Sequence, residues 1–273
     1  MTQLKSQLMP SKLHLENVTV RYDGTDVVSH VSLDFTPGVL VGLIGANGAG
    51  KTTLLRATAG LTPLETGEVR LDGKPSSSWP RAVRARALGY LAQDRSVLWP
   101  LTVERLVALG RLPHLGPWDT PGLEDAVVVD RALTDADVAH LAGRAVTSLS
   151  GGELTRVLIA RLLAGEPSIL LADEPVSGLD PAHRLQVLQI FRKLAHTGRS
   201  VVVVMHDLTL AARFCDRLVL MAEGHVVADG SPRAVLTPKT LSRFYGVNAQ
   251  ITEHNGELMI VPWGLDKNLN TPD

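Results

Sequence analysis

One short stretch, Gly45-Ala46-Asn47-Gly48-Ala49-Gly50-Lys51-Thr52, constrains the fold more than any other part of the chain. It follows a continuous apolar run at 39–44 and opens a helix-forming segment at Lys51. Such an apolar run reads as a buried central strand. The glycines let successive backbone N–H groups curl round an anion without side-chain obstruction. The start of the following helix adds partial positive charge at the same point. Every fixed position of the pattern G-x-x-x-x-G-K-[ST] is filled, so the stretch predicts strand, phosphate-holding turn and helix in succession. The residues expected to contact a nucleotide here are Gly45, Asn47, Gly48, Ala49, Gly50, Lys51, Thr52 and Thr53. Lys51 would reach the β- and γ-phosphates, and the Thr52 hydroxyl would ligate Mg²⁺.

A second apolar run, Ile169-Leu170-Leu171-Ala172, ends in Asp173-Glu174. A strand that delivers a carboxylate beside the phosphate turn lets Asp173 hold Mg²⁺ through water. Glu174, one residue on, is placed to take a proton from an attacking water.

The rest of the chain supplies an α/β frame. Leu13, Leu15, Val18 and Val20 roughly alternate, and Val31, Leu33 and Phe35 alternate cleanly, which predicts an opening antiparallel β part. Val69 and Leu71 read as a short strand ending at the turn Asp72-Gly73. Between 94 and 165 strand runs disappear and helical spacing takes over at 103–109, 123–133 and 154–163, broken by the Pro/Gly-rich 112–121. Strands return at 169–172, 201–205 and 218–221, separated by helical 181–195 and 208–214. Strands alternating with helices imply a mainly parallel sheet with both faces covered. The expected division is a nucleotide-binding α/β core at 12–93 and 166–231, a helical subdomain inserted at 94–165, and a small appendage at 232–273 whose polar tail after Leu265 frays.

Composition excludes several other classes. Apolar residues make up 45 %, enough for a sizeable core, while 20 % charged residues and a net charge of −1 carry neither a disorder signature nor a nucleic-acid footprint. The single cysteine, Cys215, rules out an internal disulfide framework, fits a reducing compartment and reads as a packed small hydrophobe. No apolar run approaches the roughly 20 residues a membrane span requires. Residues 1–11 lack the apolar centre of a signal peptide. A soluble chain is expected, with any membrane role supplied by partners.

A phosphate loop alone leaves kinases, GTPases and recombinases open. Leu149-Ser150-Gly151-Gly152-Glu153 narrows the choice. It resembles the Leu-Ser-Gly-Gly-Gln signature of ATP-binding-cassette proteins, P-loop NTPases in which ATP is sandwiched between the phosphate loop of one copy and the signature of another. The resemblance implies a head-to-tail dimer, with Ser150, Gly151 and Gly152 contacting the partner's nucleotide. Glu153 departs from the commoner glutamine and sets a negative charge near that site, mildly unfavourable unless it points away.

Four further elements follow the family's order. Tyr22 resembles the aromatic that stacks on adenine; read alone, it is equally a strand aromatic. Gln93 resembles the glutamine that touches Mg²⁺ and the attacking water. Ser177-Gly178-Leu179-Asp180 resembles the loop that crosses the dimer interface. His206 resembles the switch histidine at the γ-phosphate, although a lone histidine after a strand is usually structural.

The resemblance spans roughly 13–230 and implies an ATPase with ATP and Mg²⁺ as cofactors and Glu174, His206, Lys51 and Gln93 as catalytic groups. Thr52, Gln93 and Asp173 would be the Mg²⁺ ligands. It also implies integral membrane permease subunits and, through them, a substrate-binding protein, with the chain peripheral on the cytoplasmic face of the inner membrane. Leu101-Thr102-Val103-Glu104 and Gly110-Arg111-Leu112-Pro113-His114-Leu115-Gly116 resemble the subdomain pattern of importers for iron–siderophore, haem and cobalamin. Arg111 and His114 also have a plain reading as a surface break between helices. Iron–siderophore or haem is the first expectation for the cargo, then cobalamin, then zinc or manganese. The competing class is a soluble, non-transport cassette ATPase.

Overall fold

The protein is described by a computed structural model covering residues 11–97, 99–116 and 118–266. Both the N-terminal segment read as lacking a signal peptide and the polar tail expected to fray lie largely outside these residues.

The chain opens with β1 (Leu13–Tyr22) and β2 (Thr25–Phe35), an antiparallel pair, and then enters β3 (Leu40–Ile44), all of whose residues are buried. Helix α1 (Lys51–Thr58) follows, then β4 (Thr66–Leu71), the two-residue β5 (Lys74–Pro75), α2 (Arg81–Ala87) and β6 (Leu88–Leu91). Next come α3 (Val103–Ala108), α4 (Leu123–Asp135) and α5 (Gly151–Ala164), with short 3-10 turns between them. Among the described residues of 94–165, the one strand-like feature is an isolated Thr102–Ala145 bridge. The α/β alternation resumes with β7 (Ile169–Ala172), α6 (Pro181–His196), β8 (Ser200–Val204), α7 (Leu208–Phe214), β9 (Arg217–Ala222) and β10 (His225–Gly230). The C-terminal part is α8 (Pro232–Val235), α9 (Pro238–Tyr245) and a hairpin of β11 (Val247–His254) and β12 (Glu257–Leu265).

Two large sheets result. The order β2-β1-β4-β5 is antiparallel throughout. The second sheet runs β10-β9-β3-β8-β7-β6, and every pairing in it is parallel except β10 with β9. Its central strands β3, β7 and β8 are buried on both faces because both faces are covered. Side-chain alternation then divides the core in two. Val41, Leu43, Ile169, Leu171, Val202 and Val204 pack with α1 and the antiparallel sheet. Leu170, Ala172, Val201 and Val203 face the other way, into a cluster continuous with α3–α6 and the C-terminal part.

The structure differs from the sequence expectations at a few places. Arg81–Ala87 is helical and His225–Gly230 is a strand, neither of them expected. The break expected at 112–121 is in part a 3-10 turn, Leu109–His114. That turn is no loose surface feature, because Arg111 is buried. Its Nε donates to Asp125 at 2.8 Å, and its Nη1 donates to the Ala164 carbonyl at 2.8 Å and to Glu166 at 3.0 Å. A cation thus meets the C-terminal carbonyls of α5, where the helix dipole favours it. Gly110 permits the approach, since a Cβ there would overlap the Arg161 carbonyl oxygen.

Candidate nucleotide site

The turn between β3 and α1 forms the floor of the site. Gly45 sits at φ 149° with the Met221 carbonyl where a Cβ would stand. Gly50 caps α1 at φ 93°, 2.6 Å from the Val27 oxygen measured from an ideal Cβ. Side chains are therefore excluded at both ends of the turn, and its N–H groups are left to face an anion. A cavity of about 720 Å³ opens above it. Asn47, Gly48, Ala49, Gly50, Lys51, Thr52 and Thr53 line this cavity together with Val27, Gln93, Glu174 and His206.

Lys51 is buried, and its Nζ donates to the Gly45 and Ala46 carbonyls at 2.9 and 2.8 Å. Burial lowers its pKa, opposed by the charges of Glu174 and Asp173. An ammonium that bonds its own loop in this way is held at the floor, where it can reach incoming phosphate oxygens.

The carboxylates arrive from β7, two strands away from β3 with β8 between them. Asp173 is buried and its Oδ1 accepts the Thr52 hydroxyl at 3.0 Å, while Oδ2 accepts the Tyr90 hydroxyl at 3.3 Å. Burial raises the Asp173 pKa, and these two hydrogen bonds oppose the shift. The Tyr90 hydroxyl is pushed up to about 12, chiefly by burial and then by the Asp173 charge. Glu174 has both carboxylate oxygens engaged. Gln93 Nε2 donates to Oε2 at 2.9 Å, and His206 Nε2 lies 2.5 Å from Oε1. Three of the four groups expected to act on the reaction, Glu174, Gln93 and His206, thus form one hydrogen-bonded cluster on the wall of the phosphate cavity.

Other predicted residues lie apart from this cavity. Tyr22, at the end of β1, is 46 % exposed and its hydroxyl donates to Thr62 at 3.4 Å. Ser150, Gly151 and Gly152 start α5, and none of them lines the cradle of its own chain. Ser150 and Gly151 are exposed, whereas Gly152 is buried against the His183 ring, which a Cβ at 152 would overlap. Asp180 caps α6, accepting from His183 N at 3.0 Å and pairing with His183 Nδ1 at 2.5 Å.

Glu153 answers the question its charge raised. Its Oε2 accepts from Ser150 N at 2.8 Å, and the Ser150 hydroxyl accepts from Glu153 N at 3.3 Å, a reciprocal capping box. Its Oε1 lies 3.3 Å from Arg144 Nη1. The hydrogen bond from Ser150 N holds its carboxyl below the usual range. The carboxylate is thus folded back on its own helix start. Residues that sequence reasoning missed are Tyr90, Arg144 and Arg95, the last of which bonds the Glu174 carbonyl. Arg95 lies only two residues past Gln93, yet no spacing rule marks an arginine whose partners are carbonyls some 80 residues away.

A phosphate loop after a central parallel strand, facing a strand that ends in Asp-Glu, defines a P-loop NTPase. The ABC transporter family pattern matches residues 28–177. The chain belongs to the ABC transporter family and is an ATPase of that family. It is 44 % identical over 247 residues to a hemin import ATP-binding protein, HmuV, of Pseudomonas fluorescens, covering 89 % of this chain and 95 % of that protein. It is also 44 % identical over 230 residues to a cobalamin import ATP-binding protein, BtuD, of Halobacterium salinarum, covering 84 % of this chain and 57 % of that one. Among solved structures, one described as an inward-facing metal-chelate type ABC transporter superposes with a TM-score of 0.81. The two are 26 % identical, over 95 % of this chain and 99 % of that one.

Proposed function

We propose that this chain is the ATP-hydrolysing subunit of a haem importer, acting as a head-to-tail pair against permease subunits on the cytoplasmic face of the cell membrane. The observation that carries the reading is the split of the nucleotide machinery within one chain. The cradle, Glu174, Gln93 and His206 line one cavity, with Asp173 buried behind Thr52, whereas Ser150 and Gly151 lie exposed at a separate helix start. A second copy would supply the missing anion-binding helix start to each cradle. Among the described residues no helix is long and apolar enough to cross a membrane, so partners would provide the pore.

The Thr52 hydroxyl and the Asp173 carboxylate, 3.0 Å apart, form an oxygen-only pair suited to a hard cation, and Gln93 lines the same cavity as Thr52. These three residues would hold Mg²⁺. When bound, Mg²⁺ supplies charge neutralisation on the β- and γ-phosphate oxygens. Glu174 accepts the proton of the attacking water at its carboxylate, after releasing either Gln93 or His206. Lys51, His206 and the partner's signature stabilise the charge that develops on the transferring group. Tyr22 and Asp180 fit supporting roles, stacked on the adenine ring and at the dimer interface respectively.

The helical segment 94–165 serves as the arm that meets the permease, with 12–93 and 166–231 as the catalytic core and 232–266 as an appendage. A groove of about 360 Å³ between arm and core, walled by Ala85, Tyr90, Asp94, Gly110, Pro113 and Leu162, suits a short permease helix. Haem is chosen over cobalamin because the haem relative is matched over 95 % of its length and the cobalamin relative over 57 %.

The test is ATP turnover by the chain copurified with its permease in lipid. Binding protein loaded with haem should raise turnover, and the same protein without haem should not. Stimulation by a cobalamin- or siderophore-loaded protein instead would reassign the cargo. Failure to recover any polytopic partner from host membranes would remove the transport reading.

A further inference from the structure

Arg95 lies on the segment that leads from β6 toward the helical arm, and its guanidinium touches three separate parts of the machinery. Nη2 donates to the Glu174 carbonyl oxygen at 2.5 Å. Nη1 donates to the Ser177 carbonyl at 3.2 Å and to the Thr155 hydroxyl oxygen at 3.0 Å. Thr155 is buried on α5, and its own hydroxyl donates to the Gly151 carbonyl at 2.9 Å. One hydroxyl can both donate and accept, so the two bonds at Thr155 are compatible. An unbroken line of hydrogen bonds therefore runs from the Glu174 peptide to the first helical residue of the signature.

Glu174 needs external hold. Its φ is 47°, the left-handed region that residues other than glycine seldom occupy. Such a conformation persists only where the surroundings over-determine it. Arg95 fastens the Glu174 carbonyl directly, while Gln93 and His206 fasten its carboxylate. A planar guanidinium can serve three acceptors in fixed directions, which a lysine ammonium on a flexible stem does less well.

We propose that Arg95 is a positioning residue that holds Glu174 of its own ATP site and, through Thr155, ties it to the signature loop serving the neighbouring site. This rests on the head-to-tail pairing proposed above. It makes the geometry of the base at one site depend on the engagement of the signature at the other. Because Arg95 sits where the chain enters the arm, movement of the arm is passed to both.

The test compares wild type, Arg95→Ala, Arg95→Lys and Thr155→Val for ATP turnover, binding of a fluorescent ATP analogue, and ATP-induced pairing in a Glu174→Gln background. Arg95→Ala should lower kcat roughly ten- to a hundredfold, the scale set by a small misplacement of a reacting group. The analogue's Kd should stay within about twofold, because the cradle is untouched. Arg95→Lys should recover part of the loss. Thr155→Val, which spares both carbonyl contacts, should weaken pairing more than it lowers kcat. A kcat for Arg95→Ala within about twofold of wild type would overturn the proposal. So would a matched loss of kcat and nucleotide affinity with no recovery by lysine, which would mark a simple brace. A wild type that does not turn over ATP, or Glu174→Gln at wild-type rate, would instead remove the site assignment beneath it.

Discussion

Replacing Arg111 with alanine should destabilise the arm strongly, and the size of the loss follows from its partners. The arginine side chain is 8 % exposed, Asp125 15 % and Glu166 38 %. Breaking a buried ion pair by removing one partner costs roughly 3–5 kcal/mol. Here the residual cost is smaller. Glu166 keeps Arg131 at 2.5 Å and partial solvent, and Asp125 keeps the Gly122 N–H at 3.0 Å. About 2–3 kcal/mol is expected after allowing for screening at the more exposed partner. At about 2–4 °C per kcal/mol for a chain of this size, the melting temperature should fall by about 4–12 °C.

The loss should also depend on pH. Hydrogen bonds from Gly122 and Arg111 lower the Asp125 pKa, and pairing with Arg111 and Arg131 lowers that of Glu166 against its burial. Carboxylates with depressed pKa values add stability that is present above their unfolded values and lost as pH falls through the folded ones. The gap between wild type and variant should therefore be full at pH 7 and shrink below about pH 4. Thermal melts of both proteins across pH 3–8 provide the assay. A variant that melts within about 1 °C of wild type at pH 7, or a gap indifferent to pH, would mean that the Arg111 ion pairs do not hold the arm together.

Substitutions at two positions probe the signature. Gly152→Ala puts a methyl group into the His183 ring, so ATP turnover should drop about tenfold or more, and adding His183→Ala should restore part of it. No recovery in the double variant would mean that the clash is not the cause. Glu153→Gln keeps a side chain able to close the capping box, so turnover should stay within about threefold of wild type, whereas Glu153→Ala should cost about 1 kcal/mol of stability. Equal behaviour of the two in melts and turnover would argue against the box.

Much of this site was legible because its parts are local in sequence. The phosphate turn, Asp173-Glu174 and the signature each occupy a few consecutive residues whose backbone geometry dictates their type. The central strands were equally plain, since the valine run in β8 is buried on both faces. What escaped notice depends on contacts between distant segments. Helix α2 buries only Val83 and Ala87, too few positions to declare a period among its arginines. The strand β10 shows a weak apolar pattern because its residues are no more than half-buried. The 3-10 turn at Leu109–His114 gains its rigidity from α5 and Glu166, some 50 residues on. Arg95 reads in sequence as one more charged loop residue, and only the fold brings Glu174, Ser177 and Thr155 to its two nitrogens.

Particle mass and bound nucleotide, measured together on Glu174→Gln with ATP and Mg²⁺, report at once on the paired site and on Glu174 as proton acceptor. The substitution is isosteric, so the contacts with Gln93 and His206 can persist while the proton acceptor is lost. Adding ATP should double the particle mass, with two nucleotides per pair, and turnover should fall by about 10²- to 10⁴-fold. A single copy saturated with ATP that never pairs, or turnover at the wild-type rate, would contradict these roles.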